Sequence, residues 1–431
     1  MSDNLSMREG AMDHLGQILP FWTVSFFLLL LLSIAIFPLT HGRFWESNRN
    51  KGIVAGILSV PVVILFITYG NLQPLIHSIE EYFSFIILLA ALFVISGGIF
   101  LSGDIEATPR NNTLFLAVGG IIANIFGTTG AAMLLIRPVL RTNSERRLIA
   151  HIPIFFIFIV CNIGGCLTPL GDPPLFMGYL RGVPFFWTLR LFPHWIVMMI
   201  LVLSVFYLFD HYFYGKETRE SLRFDRKMAV PLAAHGKINL LFIIGVLLSV
   251  ILFQTPVREG IMIGLAILSL IFTPKNIREK NEFNFAPIIE VAVLFAGIFI
   301  TMVPSLLILE ARGAEFGVRL PWHFFWTTGG LSSFLDNTPT YVTFVSLAQG
   351  LAQTTGLPKE MIGIPVKYLE AISVGAVFMG ANSYIGNGPN FMVKVICEHQ
   401  KVKIPSFFGY MLWSCGILVP LFLIITFIFF V

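Results

Sequence analysis

Long apolar runs dominate the chain, broken at fairly regular intervals by short polar stretches. A helix needs about 20 apolar residues to cross the hydrocarbon of a bilayer. Runs that qualify, some only by counting their flanks, lie at 21–39, 53–70, 83–101, 149–180, 194–213, 238–254, 260–273, 286–309, 366–397 and 405–430. Two more apolar stretches, 112–136 and 321–349, carry turn-forming residues in their middles. Such stretches are expected to dip into the membrane and return, as re-entrant hairpins.

Charge gives the orientation. With the two hairpins returning to the side they left, the loops predicted to lie inside (40–52, 101–112, 137–148, 214–239, 274–284 and 394–404) hold 20 Lys and Arg. The N-terminal tail and the loops predicted outside (70–82, 181–193, 255–260, 310–320 and 350–367) hold 8. That asymmetry has the sign of the positive-inside rule, and a full crossing by either hairpin would weaken it. The first run follows a tail with Arg8 among Asp3, Glu9 and Asp13, and basic residues come after it (Arg43, Arg49, Lys51). A cleavable signal peptide has the opposite polarity, so 21–39 is read as a retained span. Both termini are expected outside, in a multi-pass protein of the bacterial inner membrane.

The two halves echo one another. Gly98-Ile99-Phe100 returns as Gly297-Ile298-Phe299, Gly119-Gly120 as Gly329-Gly330, and Gly171-Asp172-Pro173-Pro174-Leu175-Phe176-Met177 as Gly386-Asn387-Gly388-Pro389-Asn390-Phe391-Met392. Each half then holds five crossings, one of them broken, and one hairpin. Five is odd, so the second half enters from the opposite face. The expected fold is an all-α polytopic membrane protein of two inverted-topology repeats. The first covers 1–213 (hairpin 112–136, broken helix 149–180) and the second 238–431 (hairpin 321–349, broken helix 366–397). A cytoplasmic linker, 214–237, joins them.

Composition agrees with this picture: 56% of the 431 residues are apolar and 12% are charged, about half the charged share of a soluble domain. A water-soluble enzyme and a disordered chain are both excluded. The four cysteines (Cys161, Cys166, Cys397 and Cys415) are too few for a disulfide scaffold and read as small packing residues. The net charge of +4 suits basic cytoplasmic loops rather than nucleic-acid binding. There is no phosphate-binding G-x-x-x-x-G-K-[ST] loop, no H-E-x-x-H and no G-x-S-x-G, so neither an ATP-driven motor nor an enzyme is expected.

Candidate chemistry lies where polar clusters interrupt apolar spans, because bare backbone must face protein or water there. These are the tip Gly127-Thr128-Thr129-Gly130, the break Thr168-Pro169-Leu170-Gly171-Asp172-Pro173-Pro174, the tip Asp336-Asn337-Thr338-Pro339-Thr340, and the break from Gly380 through Asn382, Ser383, Gly386, Asn387 and Asn390. Broken helices offer free N–H groups to anions and free carbonyls to cations. Asp172 and Asp336 stand out as carboxylates at such breaks. Burial disfavours the charged carboxylate and a bound cation favours it, so each can trade H+ for Na+. Thr128, Thr129, Asn337, Thr338, Asn382, Ser383 and Asn387 add hard oxygen donors. Helix N-capping is the other reading of both aspartates; a Ser would cap at less cost in lipid. For Ser102 through Arg110, with Asp104 and Glu106, a gate and a solvated helix end with Arg110 pairing a carboxylate are both open. Glu290, Glu370 and Lys367 are expected to snorkel and Arg137 to anchor at the interface. His151 and His194, near span ends, are read as membrane-surface residues, with a proton role as the alternative.

These motifs carry a resemblance. Asn162-Ile163-Gly164-Gly165-Cys166-Leu167-Thr168-Pro169-Leu170-Gly171-Asp172 resembles the N-x-G-G-x-x-[ST]-P-x-G-D signature of D-type bacterial sodium/proton antiporters, and Leu335-Asp336-Asn337-Thr338-Pro339 resembles their D-N-x-P hairpin. Ser383-Tyr384-Ile385-Gly386-Asn387-Gly388-Pro389-Asn390-Phe391 resembles the citrate-transporter branch of the same ion transporter superfamily. The resemblance implies a scaffold of the first three helices of each half, often dimerising, and a mobile transport domain of hairpins and broken helices with elevator-like alternating access. It implies that Asp172, Asp336, Asn337 and Thr338 are cation or proton ligands, with sodium at the two aspartates. The expected function is sodium/proton antiport; the alternative is cation-coupled uptake of a citrate-like carboxylate or other anion. The first tip, Gly-Thr-Thr-Gly, and the second, Asp-Asn-Thr-Pro, depart from the paired Ser-Asn-Thr tips of dicarboxylate carriers. No cofactor is expected beyond the transported Na+ and H+. The expected partners are membrane lipid, a small ion or molecule as substrate, and a second copy in a homodimer, with no nucleic acid.

Overall fold

The computed structural model describes residues 15–431. The reading of the N-terminal tail as an outside segment falls on 1–14, outside the described residues. Helices of eight residues or more are numbered here in chain order. The first half contains α1 (Val24–Thr40), α2 (Asn48–Thr68), α3 (Gln73–Ser96), α4 (Pro109–Thr142), α5 (His151–Ile159), α6 (Pro173–Leu180) and α7 (Phe192–Tyr214). A linker helix α8 (Arg219–Met228) follows. The second half contains α9 (Ile238–Leu252), α10 (Val257–Phe272), α11 (Ala286–Thr301), α12 (Val303–Arg312), α13 (Pro321–Ser332), α14 (Asn337–Thr355), α15 (Val366–Met379), α16 (Gly388–His399) and α17 (Phe407–Phe429).

Six helices among the described residues are long and apolar enough to cross a bilayer, or seven if α11 and α12, bent by 42°, form one span. Large side chains such as Ile57, Leu208, Leu252 and Phe427 stand exposed on their outer faces. A water-facing protein does not cover itself this way, whereas lipid accepts it without cost. The chain is a multi-pass helical membrane protein. The expected runs at 149–180 and 366–397 are not continuous helices. The first is α5, a 3-10 turn at Ile163–Leu167 and α6; the second is α15, a 3-10 turn at Gly380–Asn382 and α16. Pro173-Pro174 and Pro389 explain the restarts, since proline lacks the N–H that an interior turn needs but fits the first turn.

α4 is long and apolar enough to pass as a span. At 1.5 Å per residue its 34 residues would reach about 50 Å if straight, well beyond a bilayer core. It does not run straight. Gly127 adopts φ 73° and ψ 155°, a conformation open to glycine, and the chain turns back there. A Cβ on Gly119 would lie 3.1 Å from Leu135 Cδ1, and the amides of Asn112 and Asn143 exchange hydrogen bonds of 2.9 and 3.0 Å. Both pairs straddle Gly127 almost symmetrically, so the two arms lie side by side. α13 and α14 are also in contact, with a four-residue turn, 333–336, between them.

The expectation of an all-helical chain needs one correction. β1 (Phe100–Asp104) pairs antiparallel with β2 (Val230–His235), joining Phe100 to His235 and Asp104 to Val230 across a bulge. Gly103 makes this possible: at φ 98° it lies so close to Pro231 that a Cβ would sit 2.3 Å from that carbonyl oxygen. Arg141 donates to the Gly103 and Leu101 carbonyls, both at 2.9 Å. The linker is thereby pinned to the end of α3. Within the polar run, Glu106 pairs with Arg226 at 3.1 Å.

Helices of the two halves interleave in one body. Phe85 on α3 stacks on Phe295 of α11 at 5.0 Å, Ser78 donates to the Phe299 carbonyl at 2.5 Å, and Gly297 leaves room for Ala55 of α2. α4 to α7 and α13 to α17 pack into the rest of the core around the two breaks.

Candidate functional site

The site grows from the two breaks. Thr168 Oγ1 accepts the Gly171 N–H at 3.0 Å, which turns the chain sharply before Asp172. Gly171 then lies against Gly165, where a Cβ would come within 2.2 Å of the carbonyl oxygen. The second break repeats the arrangement: Ser383 Oγ accepts the Ile385 N–H at 3.2 Å, and a Cβ on Gly386 would lie 2.5 Å from the Gly380 oxygen. The tip of α4 joins through its backbone, as Thr128 N–H donates to the Gly171 carbonyl at 2.8 Å.

Asp172 is fully buried at the centre. Thr128 Oγ1 donates to Oδ1 at 2.8 Å, Asn387 Nδ2 to the same oxygen at 3.1 Å, and Asn337 Nδ2 to Oδ2 at 2.5 Å. Each donor comes from a different interruption: the first tip, the second break and the second tip. Asp172, from the remaining break, ties all four together. Three donors, two of them amides, reach the oxygens of this buried carboxylate. Asp172 stands at the start of α6, yet its side chain does not cap that helix.

Asp336 differs. Its carboxylate accepts the Thr338 N–H at 3.0 Å and caps α14, so the capping geometry holds for it. It is only partly buried, one residue from the Asn337 that reaches Asp172. Thr338 Oγ1 turns toward Asn337 Oδ1 at 3.5 Å, too long for a strong bond. Thr129 does not bond Asp172; it lines a small cavity beside the first tip with Thr128, Gly171, Pro173 and Leu92. Thr168 Oγ1 donates to the Asn124 carbonyl. Asn382 and Ser383 bond Ser333, the former leaving its Oδ1 without a partner. Asn390 donates to the Gly380 and Ser383 carbonyls at 2.8 and 2.9 Å. Gly386 serves the packing of the second break.

Asn162 is a site residue that sequence reasoning quoted in a motif but gave no role. It accepts from Asn387 Nδ2 at 3.2 Å, and donates to Asn390 Oδ1 and the Ile157 carbonyl, both at 2.8 Å. With the Cys161 carbonyl, also accepting from Asn387 Nδ2 at 3.0 Å, it holds that amide with its N–H groups toward Asp172. Asn124 does similar work at the first tip, donating to Gly164 O at 2.6 Å and accepting the Leu167 N–H at 2.8 Å. Neither has a signal in spacing, because amides bridge segments distant along the chain.

A second polar cluster was missed as well. Arg146 pairs with Asp210 at 2.6 Å, both side chains wholly buried, and His151 Nε2 lies 3.0 Å from the same oxygen. Asn112 donates to the other Asp210 oxygen at 2.9 Å. His151 is therefore buried within the protein, against Asp210. Glu370, too, is buried rather than snorkelling, paired with Lys367 at 3.1 Å and facing Arg190 at 3.7 Å.

Among the described residues, no group of three or more His, Cys, Asp or Glu is placed to hold a metal ion. The groups around Asp172 turn one O–H and two N–H donors toward its carboxylate.

Comparison with known proteins agrees at the level of family. Residues 16–430 match the family model described as "Putative citrate transport". No curated protein matches the chain. The match spans nearly the whole sequence, and the chain belongs to this family of transporters, which sets it apart from enzymes.

Proposed function

We propose that this protein is a secondary active transporter whose Asp172 site alternately holds a proton and a cation, most simply in sodium/proton antiport. One observation carries the reading: a lone buried carboxylate gathers donors from three other chain interruptions. An intramembrane carboxylate is costly and belongs to function by default. Asn387 is locked by three acceptors, but among the described residues the Asn337 amide bonds only Asp172 and, weakly, Thr338. Turning Asn337 over exchanges an N–H donor for a carbonyl oxygen. With Thr128 Oγ1 and Asp172 it then offers a cation three oxygens. Asp336, one residue away, is the second titrating group of the proposal.

The two halves act as inverted-topology repeats, five crossings and a hairpin each, with both termini outside in a bacterial inner membrane. α1–α3 and α9–α11 form the scaffold and the dimer contact. The hairpins and broken helices move against them to alternate access. The recurring Gly/Thr-or-Ser/Gly geometry of the breaks supports this, and so does the charge bias of the loops.

The family description favours a second reading, cation-coupled transport of a citrate-like carboxylate. Among the described residues, no Lys or Arg bonds Asp172 or the side chains around it, so a carboxylate there would enter with its charge compensated by cations. Reconstituted vesicles decide between the two. Sodium-driven proton movement without citrate, lost in Asp172→Asn while protein still reaches the membrane, supports antiport. Sodium-dependent accumulation of labelled citrate, with no proton exchange in its absence, replaces it with the second reading.

A further inference from the structure

Away from Asp172, the segment after the first broken helix meets the start of the second. Arg190, Phe192 and His194 from the first segment, Lys367 and Glu370 from the second, and Phe429 line an open cleft of about 570 Å³. That falls within the roughly 300–1,000 Å³ of small-molecule sites. The side chains give it a sign. Arg190 and Lys367 are more than half exposed, while a single carboxylate among the lining residues, Glu370, faces both. The neighbouring helix starts add no free N–H groups of their own: Glu360 takes the Val366 N–H at 2.9 Å, and α7 runs on from a 3-10 turn, Phe185–Leu191, whose Leu189 carbonyl accepts the Phe192 N–H.

The independent observation is His194. It is 97% buried, since 3% of its surface remains exposed, and it lines the cleft. Phe429 and Phe430 hold the ring at 4.1 and 5.4 Å between centroids. Neither ring nitrogen has a well-formed hydrogen bond; the Leu191 carbonyl approaches without making one. A buried imidazole without partners is costly unless a ligand completes it.

We propose that this cleft binds an oxyanion, a carboxylate- or phosphate-bearing group that Arg190 and Lys367 clamp and to which His194 donates. Two sources share that chemistry, a small soluble anion such as a polycarboxylate and an anionic lipid headgroup. Binding would bridge the two halves where the Arg190–Glu370 contact of 3.7 Å now does so weakly. The proposal stands apart from the Asp172 reading, and Asp172→Asn serves as its control.

The test follows thermal unfolding of the full chain in neutral detergent with citrate, inorganic phosphate or chloride, and in nanodiscs with and without phosphatidylglycerol. Citrate or phosphate is expected to raise the midpoint with saturation while chloride does not. Arg190→Gln/Lys367→Gln should weaken the apparent Kd at least tenfold and His194→Gln should weaken it less. Arg190→Lys/Lys367→Arg and Asp172→Asn should retain it. Stabilisation by phosphatidylglycerol alone, lost in the same double variant, keeps the site and assigns it to lipid. The proposal is overturned if no oxyanion stabilises the protein, or if the effect disappears in Asp172→Asn and survives in Arg190→Gln/Lys367→Gln. Should the double Gln variant fail to fold, His194→Gln with the Lys/Arg exchange variant gives the same decision.

Discussion

Asn387 donates its side-chain amide to Asp172 Oδ1 at 3.1 Å, and the two residues hold the same place in their respective breaks. Each follows a glycine, Gly171 or Gly386, packed against another six positions earlier, Gly165 or Gly380. One half supplies the charge and the other the amide that satisfies it. Had both breaks carried carboxylates, they would stand in contact away from water.

That asymmetry is open to direct test. Asn387→Asp sets two carboxylates against one another with no cation between them. A buried charge without compensation costs about 3–5 kcal/mol. The melting temperature at pH 8 is expected to fall sharply, and to recover at pH 5 as one of the pair takes up a proton. Equal melting of variant and parent at pH 8 would contradict the pairing.

Asp336 combines a cap with a charge, and two substitutions separate them. Asp336→Asn keeps an acceptor for the Thr338 N–H and should leave stability within about 0.5 kcal/mol, because Asn caps as well as Asp. Asp336→Ala should cost about 1 kcal/mol. If the charge also serves transport, both lower exchange in vesicles at least tenfold. Full exchange by Asp336→Asn would leave this residue a cap alone.

The glycine contacts at the breaks predict a position-specific intolerance. Gly171→Ala drives a methyl to within 2.2 Å of backbone oxygen, and Gly386→Ala to within 2.5 Å. Neither neighbour can rotate away, and a cost of about 3 kcal/mol is expected for each. Gly388, with nothing within 4 Å of its added Cβ, should accept Ala with a gain of about 0.5 kcal/mol. Thermal unfolding of the three variants in detergent measures the contrast.

Asp225 on the linker helix makes docking depend on pH. Its Oδ2 accepts the Ala107 N–H at 3.0 Å, but burial, with Glu145, Glu106 and Asp104 nearby, pushes its carboxyl up to about 6. The docked form therefore binds its proton more tightly than the undocked form. Docking is strongest below about pH 4 and weakens as pH rises toward 6, above which it is constant. Amide exchange across 100–110 and 219–235 should accelerate over that window beyond the ordinary pH effect. Asp225→Asn should remove the excess.

Much of this could be read before any coordinates. Asp172, Thr128, Asn337 and Asn387 each stand in a polar cluster that interrupts an apolar run, and that suffices to mark them. Thr129 looked no different from Thr128, and Asn382 no different from Asn387. Their neighbours in space, not their places in sequence, exclude them from the Asp172 cluster. Asn162 stood in a motif without a role, and the Arg146–Asp210 pair gave no sign at all, since nothing local shows that two polar residues 64 positions apart will share a hydrogen bond.

By itself the sequence determined that the chain enters lipid, where its helices restart, and which polar groups must find partners there. Those are consequences of transfer free energy and of proline and glycine geometry, which act on a residue and its neighbours. The tertiary structure alone decided that four interruptions meet on one carboxylate, that Asp336 caps α14 while Asp172 caps nothing, and that the linker pairs as a strand with the segment after α3. Such choices depend on which groups compete for a donor at short range, and hydrogen bonds reward only the partner that packing brings within about 3 Å.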